Sequence, residues 1–225
     1  MLKKNSIFVF HVHTFASKDS NLRADEIIAE CEKNNISTIA ICDHNEIHGA
    51  ISLKKIAPLW LEVIVGEEIA TLQGDIIGLF LEKRIKPKQD IVSTISQIKQ
   101  QGGVVVVPHP LDRLRREAIG MEVLEKIKKD IDYIEIFNSR CVFSSDNHSS
   151  EQFAIRNDIA MLAGSDAHFR NEITNILIIT NQPVNKKNLI KLTTTANFVQ
   201  KKTSITNHLH SLMLKIKRKH VKINP

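Results

Sequence analysis

Two histidines, His11 and His13, follow the apolar run 8–10 near the start of the chain. Side chains at positions i and i+2 of a β-strand point to the same side, so both imidazoles could bind one metal ion. A His-x-His pair also occurs on half-exposed strands that bind nothing. Here, however, further His, Asp and Glu residues follow one predicted strand after another. They are Asp43-His44, Glu67-Glu68, His109, and Asp166 with His168.

This recurrence of imidazole and carboxylate groups favours metal-dependent hydrolysis. Divalent ions bind both ligand types, and one carboxylate can bridge two ions. Clustered ions lower the pKa of a bound water to about 7 and stabilise both the attacking and the leaving oxygen of a phosphoester. The protein then supplies cations or amides for the remaining phosphate oxygens. The candidates that lie near predicted strand ends are Lys18, Arg113, Arg116, Asn138 and Arg140.

The elements that must position these groups alternate between strand and helix. Strands are predicted at 8–14, 38–42, 61–65, 74–81, 104–107, 133–137, 159–163 and 176–180, and helices at 23–34, 47–57, 91–100, 121–129 and 151–157. The polar clusters come after strands rather than before them. In a (β/α) barrel the carboxyl ends of the strands converge on one mouth, whereas an open sheet spreads them along a line. Convergence therefore predicts an α/β barrel.

Length and composition are compatible with that fold. A chain of 225 residues suits one large domain, and 42% hydrophobic with 25% charged residues is ordinary for a globular protein. No apolar run reaches the roughly 18 residues of a membrane span. Cys31, Cys42 and Cys141 form no C-x-x-C pair, and no export signal is visible. We expect a cytoplasmic protein without a membrane partner.

The formal net charge of +6 is unevenly distributed. From Asn185 onward the chain has ten Lys or Arg residues and no Asp or Glu. We therefore predict a barrel domain at 1–194 and a basic tail at 195–225. The tail could be a basic edge strand, an amphipathic segment on the barrel or a partner-binding arm, although a solvated tail is the commonest form of such a run.

Six short motifs that contain these residues follow one another along the chain. They are HVHT at 11–14, SKDS at 17–20, CDHN at 42–45, GEEI at 66–69, PHP at 108–110 and GSDAH at 164–168. This series resembles the PHP (polymerase and histidinol phosphatase) family from about residue 7 to about residue 180. The resemblance implies a distorted seven-stranded (β/α) TIM-like barrel that holds up to three metal ions at its mouth and hydrolyses phosphoesters.

By position, the resemblance also implies a ligand set. One ion would be bound by His11, His13, Asp166 and Glu68, a second by Glu68 and His109, and a third by Asp19, His44 and His168. Asp75 stands where many relatives have histidine, so it is either a ligand that favours manganese, iron or magnesium, or a turn residue. Asp43 and Arg140 are assigned catalytic parts, and Glu67 is interpreted as a solvated neighbour of the bridging Glu68.

We therefore predict a stand-alone metal-dependent phosphoesterase that acts on a small phosphomonoester or nucleotide with two or three manganese, zinc or iron ions. One alternative is another metallohydrolase reaction such as amide hydrolysis, because ions and water do not choose between carbon and phosphorus. Another is a non-catalytic protein that binds nucleic acid or an acidic partner through its tail. The oligomeric state is left open. The histidines predicted to lie outside the site are His48, His148, His208, His210 and His220.

Overall fold

The computed structural model describes residues 5–193 and 196–221, with side chains described as far as Arg218. In this part of the chain nine strands form one sheet. They are β1 (Ser6–Val12), β2 (Ile36–His44), β3 (Glu62–Ala70), β4 (Asp75–Leu79), β5 (Val104–Val107), β6 (Tyr133–Asn138), β7 (Ala160–Gly164), β8 (Ile176–Thr180) and β9 (Asn197–Gln200). The helices are α1 (Ala24–Lys33), α2 (His48–Ile56), α3 (Ile91–Gln100), α4 (Gly120–Ile127), α5 (Ser144–Arg156), α6 (Leu189–Thr193) and α7 (Ile205–Val221), with a 3₁₀ helix at Arg170–Asn175.

Strands β1–β7 form a nearly closed barrel, as predicted. The sheet order is β7-β6-β5-β4-β3-β2-β1-β8-β9, and a parallel bridge between Val12 and Ala167 joins the two ends of the seven-stranded part. Strand β4 runs antiparallel to both neighbours, which distorts the barrel. Strand β8 is the strand predicted at 176–180, and with β9 it lies beyond the seven barrel strands that the resemblance implies. Both extend the sheet from β1 in antiparallel pairing.

Both faces of the barrel sheet are buried, which explains its continuous apolar strands. In β5, Val106 packs inside the barrel with Phe8 and Tyr133, whereas Val105 and Val107 pack outside with α3 residues such as Ile95. This two-sided core fixes the strands and therefore the positions of their carboxyl ends.

Several helix and strand limits differ from those predicted. Strand β3 runs on to Ala70, so Glu67 and Glu68 lie within it rather than after it. Helix α5 begins at Ser144, seven residues before the start of the helix predicted at 151–157. Tertiary contacts stabilise this first turn, because Arg113 Nε donates to Asp146 Oδ1 at 2.9 Å. They override the weak helix propensity of its Ser, Asp and Asn residues.

The segment interpreted as a basic tail contains two elements. Strand β9 pairs with β8, and α7 packs beside the carboxyl ends of the barrel strands. Within the described residues, no helix has both the length and the hydropathy needed to cross a membrane.

Candidate metal centre

The carboxyl ends of the barrel strands bring all nine predicted ligands together. Eight are buried and His44 is partly exposed. Three of them have left-handed backbone conformations, with φ of 64° at His11, 30° at His109 and 47° at Asp166. Such conformations cost about 1–3 kcal/mol each in non-glycine residues and concentrate at functional sites. The barrel holds these three residues in a strained backbone conformation that directs their side chains toward one another.

A first group joins the two ends of the barrel. The ligand atoms of His11, His13 and Asp166 lie within 4.8 Å of one another. His13 Nε2 is 3.3 Å from Asp166 Oδ1, and the corresponding distance for His11 Nε2 is 3.8 Å. Both Nε2 atoms also lie 3.5 Å from Glu68 Oε2. This is the donor set expected for one ion.

Glu68 connects that group to a second one. Its Oε1 lies 2.9 Å from His109 Nε2, and its Oε2 lies 2.9 Å from His44 Nδ1. His11, Glu68 and His109 form one group of converging ligand atoms, and His44, Glu68 and Asp75 form another. Asp75 is therefore placed among the ligands although it also begins a strand. Glu68 has the contacts of a bridging carboxylate.

A third group lies nearer the opening. His13, His44 and His168 have converging nitrogens. Asp19 lies beside them, with Oδ2 3.4 Å from His44 Nε2 and Oδ1 3.5 Å from His168 Nε2. These contacts match the predicted set for the outermost ion.

Unsatisfied polar atoms show that the residues fit metal ions. Among the described residues, five ligand atoms are buried without a hydrogen-bond partner. They are His11 Nε2, His13 Nε2, Asp19 Oδ1, Glu68 Oε2 and Asp166 Oδ1. An orphaned buried polar atom costs about 1–3 kcal/mol, and these five belong to converging imidazole and carboxylate groups. The other two buried atoms without a partner in the described residues are His109 Nδ1 and, outside the ligand groups, Glu67 Oε1. Divalent ions would supply their missing partners.

The pKa values reflect this crowding. Burial and the neighbouring His168 and His44 lower the pKa of His13 to about 3. Burial acts in the same direction on His11, but the Glu135, Asp166 and Glu68 carboxylates outweigh it and hold the pKa of His11 well above its ordinary value. Bound ions compete with protons for such groups.

Burial together with the charge of Glu68 raises the pKa of Asp75 to about 8. At neutral pH its carboxyl group therefore binds a proton, whereas Asp19, Glu68 and Asp166, whose pKa values are lowered by neighbouring histidines and, for Asp166, by Arg115, are ionised. A nearby cation would favour ionisation of this group too.

Glu135 is a positioning residue that the sequence reasoning missed. Its Oε1 lies 2.8 Å from His11 Nδ1, and its Oε2 accepts from the His109 backbone N at 2.7 Å and from Asn138 Nδ2 at 2.9 Å. Gly164 makes room for it, since a Cβ there would overlap the Glu135 carboxylate. A lone acidic residue within the buried strand YIEIFN was the signal that could have revealed it.

Asp43 supports the loop after β1. Its carboxylate accepts hydrogen bonds from Thr14 N, Thr14 Oγ1 and Ser17 Oγ, each at 2.7 Å. Ser17 Oγ in turn lies 3.2 Å from His13 Nδ1. Asp43 does not line the cavity at the mouth. Its position indicates that it orients ligands and does not contact substrate.

A cavity of about 600 Å³ opens over the ligands. Five candidate ligands line it, namely Asp19, His44, Asp75, Asp166 and His168. Four cations also line it, and these are Lys18, Arg115, Arg140 and Lys215. Leu114, Val142 and Leu212 give the outer part an apolar wall. The cavity therefore combines a charged base with a partly apolar entrance.

Only some of the predicted substrate-binding residues line this cavity. Lys18 and Arg140 line it, but Arg140 Nη1 donates to Glu172 Oε1 at 2.9 Å and Nη2 donates to Ser211 Oγ at 2.9 Å. Its guanidinium is therefore already engaged. Asn138 is buried behind the ligands, where Nδ2 donates to Asp166 Oδ2 at 3.2 Å.

Neither Arg113 nor Arg116 lines the cavity. Arg113 pairs with Asp146 at 2.6 Å and stacks over Phe143, whereas Arg116 is exposed. Arg115, which the sequence reasoning passed over, reaches the mouth instead, and its Nη2 donates to Asp166 Oδ2 at 2.8 Å. The run of three basic residues at 113, 115 and 116 signalled an arginine here without indicating which one.

Glu67 is buried, not solvated as expected. Its Oε2 accepts from Ile85 N at 2.9 Å on the outer side of β3, away from Glu68. Burial raises its pKa to about 7, against the opposing effects of the Ile85 N–H and Arg84.

Helix α7 completes the mouth. Lys215 Nζ lies 3.6 Å from Asp19 Oδ2, and Arg218 Nη1 donates to Ser17 O at 2.7 Å. His208, which we expected to lie outside the site, lines the cavity, as does Ser211.

The comparisons with known proteins agree with this geometry. A model of the PHP domain matches residues 10–219. The chain belongs to the PHP domain family. It is 37% identical over 171 residues to the uncharacterized protein MJ0417 of Methanocaldococcus jannaschii, covering 75% of this chain and 68% of the relative. Family membership and the ligand groups together indicate a metal-dependent hydrolase.

Solved structures share the PHP fold. One is a two-domain protein of Bacteroides vulgatus that contains a predicted PHP-like metal-dependent phosphoesterase, with TM-score 0.63 and 16% identity over 80% of this chain. This PHP chain covers 60% of the length of that protein. Another is an amidohydrolase of Chromobacterium violaceum with bound sulfate and no metal, with TM-score 0.59 and 14% identity over 90% of this chain and 96% of the other.

Proposed function

We propose that this PHP-domain protein hydrolyses a small phosphoester, either a phosphomonoester or a nucleotide, with the aid of two or three divalent ions. The observation that carries the proposal is the sharing of one cavity by overlapping His, Asp and Glu ligand groups and by several cations. The ions would be manganese, zinc or iron. Asp75 adds a hard oxygen ligand, which favours manganese or iron over zinc.

The ligands divide among the ions by their contacts. His11, His13 and Asp166 would hold one ion, His109 a second, and Asp19 with His44 and His168 a third. Glu68 would contact more than one, and Asp75 converges with His44 and Glu68. When bound, such ions lower the pKa of a coordinated water and stabilise negative charge that develops on phosphate oxygens.

The side chains around the ions have separate tasks. Arg115 and Lys18 would bind the phosphate oxygens that the ions leave free, Arg115 through the donors that its contact with Asp166 does not use. Lys215, beside Asp19, lines the same cavity. Arg140, Asn138 and Asp43 would act as positioning residues, because their polar atoms are engaged with neighbouring side chains or backbone.

The charge of the cavity favours a phosphoester over an amide. A phosphoester carries one or two negative charges, and cationic side chains stabilise it when it binds. An amide group is neutral and does not need cationic partners. Arg115, Lys18 and Lys215 line the cavity beside the ligands. An amide group by itself offers these cations no charge to neutralise.

Hydrolysis of a substrate panel tests the proposal. The metal-loaded protein should release phosphate from some phosphomonoesters or cleave some phosphodiesters, and inorganic phosphate should inhibit competitively. Asp166→Asn is the inactive control, because it removes a ligand charge. Cleavage of amides alone, without inhibition by phosphate, would contradict the proposal.

The alternative of a non-catalytic nucleic-acid-binding protein predicts a different result. Binding through the basic residues after Asn185 should weaken steeply as salt rises, since phosphate contacts release counterions. Salt-dependent binding without turnover on any substrate would favour it. The cytoplasmic location and the domain boundary at residue 194 stay predictions, although α7 contributes to the mouth and we treat it as part of the working site.

A further inference from the structure

Helix α7 contacts the barrel through its polar face. Asn207 Nδ2 donates to Asn171 Oδ1 at 3.1 Å, Ser211 Oγ accepts from Arg140 Nη2 at 2.9 Å, and Arg218 Nη1 donates to Ser17 O at 2.7 Å. Asn207 and Ser211 are buried by this contact. The usual arrangement, in which a surface helix buries its apolar side, is reversed.

The apolar side of α7 faces outwards as a stripe of five residues. Their exposed fractions are 79% for Ile205, 55% for Leu209, 55% for Leu212, 51% for Met213 and 50% for Ile216. At 100° per residue these positions fall within an arc of about 100° opposite the buried polar residues. Leu212 lies at the edge of the stripe and also borders the cavity at the barrel mouth. All five residues are at least half exposed within the described part of the chain.

The spacing of the stripe is typical of a helix–helix seam. Ile205, Leu209, Leu212 and Ile216 follow one another at intervals of four, three and four residues, which is the alternation of a heptad repeat. The arc is narrow, as in a seam between two helices. A helix that lies on a lipid surface is typically rich in Lys and Arg on its polar face. Residues 205–214 of this helix have none, and Lys215, Lys217 and Arg218 lie in its last part.

We propose that the stripe is the docking surface for a second copy of this chain, with α7 packed antiparallel on α7. Antiparallel packing places Ile205 opposite Ile216 and Leu209 opposite Leu212 across a two-fold axis. It also places each basic end beside the partner's uncharged first turns. Parallel packing would bring both sets of Lys215 and Lys217 together. The proposal is independent of the phosphoesterase reaction.

The oligomeric state tests the surface. Light scattering coupled to size-exclusion chromatography should give the mass of a dimer for the wild type. Leu209→Asp should give a monomer with an unchanged circular dichroism spectrum. The matched control is Leu59→Asp, because Leu59 is also an exposed leucine but lies before β3, away from the stripe. A monomeric wild type, or equal dissociation by both variants, would overturn the proposal.

Engineered cysteines test the orientation. The native Cys31, Cys42 and Cys141 are buried, so the wild type should not cross-link under mild oxidation. The double variant Ile205→Cys/Ile216→Cys should form disulfide-linked dimers, whereas neither single variant should. Cross-linking of the Ile205→Cys variant with itself would show parallel helices and refute the antiparallel arrangement.

A vesicle experiment separates a second copy from a lipid surface. The wild type should remain in the supernatant when phosphatidylglycerol vesicles are sedimented. Sedimentation with the vesicles that is lost in Leu209→Asp but kept in Leu59→Asp would show that lipid covers the stripe, and the proposal would fall.

Discussion

Glu68 is the residue on which the candidate metal centre depends most. It contacts His109 and His44 at 2.9 Å, and both His11 and His13 at 3.5 Å. No other carboxylate in the described site lies against four imidazoles. Its negative charge would offset the mutual repulsion of neighbouring ions.

Replacing Glu68 with Gln should therefore remove most activity and lower the bound metal while leaving the fold intact. The amide keeps the shape but not the charge that a bridge between cations requires. Elemental analysis, turnover and circular dichroism measure the three quantities. Glu67→Gln is the matched control and should keep metal and turnover. The reverse result would mean that Glu67 is the bridging residue.

Glu67→Gln should nevertheless change stability with pH. Burial raises the pKa of Glu67 to about 7 from 4.5, so the folded state binds this proton more tightly than the unfolded state does. The wild type should lose roughly 1–3 kcal/mol of stability from this group as pH rises from about 4.5 to about 7. Urea unfolding at pH 5 and pH 8 should show Glu67→Gln gaining on the wild type at the higher pH. An equal difference at both pH values would contradict this account.

Arg115→Ala should weaken turnover by about 10- to 100-fold, the loss expected for a charge-assisted contact to phosphate. Arg115→Lys should recover part of it, because the charge is retained without the planar pair of donors. Steady-state kinetics on the best substrate of the panel gives the comparison. Arg116→Ala, the exposed neighbour, should match the wild type. Equal effects at both positions would exclude a specific part for Arg115.

At the scale of elements, local signals determined the limits of some segments and failed for others. The prediction of a helix at 91–100 was confirmed, because Asp90 caps it through Val92 N and Gly102 ends it with φ of 64°. The strand at 176–180 was confirmed as well. The start of α5 and the polar contact face of α7 depend on Arg113 and Arg140, which are distant in sequence. No local pattern encodes such pairings.

The same reason limits prediction of the site. Motif order predicted eight of the nine candidate ligands, and Asp75 was considered because it stands where many relatives have histidine. These residues lie near strand ends, so their positions could be expected from the order of the strands. Glu135 and Arg115 escaped notice because their parts depend on the partners that they meet in three dimensions. Arg140 was predicted to bind substrate because the sequence does not show that its guanidinium donates to Glu172 and Ser211.

Helix α1 is tied to the 3₁₀ helix at Arg170–Asn175 by Glu30, whose Oε2 accepts from Arg170 Nε at 2.8 Å. Burial opposes ionisation, but Arg170 and Asn34 outweigh it and lower the pKa of Glu30. The tie should thus contribute above pH 4.5 and be lost as pH falls through the folded pKa. Glu30→Gln should cost about 1 kcal/mol or less at pH 7, since Arg170 is half exposed, and nothing in strong acid. Urea unfolding of the wild type and of Glu30→Gln at pH 7 and in acid measures this difference in stability. An equal difference at both pH values would exclude an ion pair.

At the scale of the whole molecule, metal should stabilise the fold. Ions that bind the native barrel and not the unfolded chain raise the melting temperature by mass action. Manganese or zinc should therefore raise it, and a chelator should lower it and abolish turnover. Neighbouring carboxylates hold the pKa of His11 and His44 well above the ordinary value, so binding at pH 7 should release protons.

The increase in melting temperature should shrink as pH falls from 8 to 5.5, because protons compete with the metal for His11 and His44, whose pKa values are raised. Thermal melts at two pH values and a weakly buffered metal titration measure these effects. His48→Ala is a matched control outside the ligand groups and should change neither. Equal metal-induced increases at pH 5.5 and pH 8 would argue against histidine ligation.

Strand β1 divides its length between two neighbours that come late in the chain. Its first residues pair with β8, and its last residues receive the segment after β7, where Ser165 Oγ donates to His11 O across a sequence separation of 154 residues. Loop closure over such a distance is entropically costly and slow. His11 and His13 therefore emerge early during synthesis but must wait for Asp166 and His168. We therefore expect the metal centre to form late in folding, so that a partly folded chain would not hold the full complement of ions.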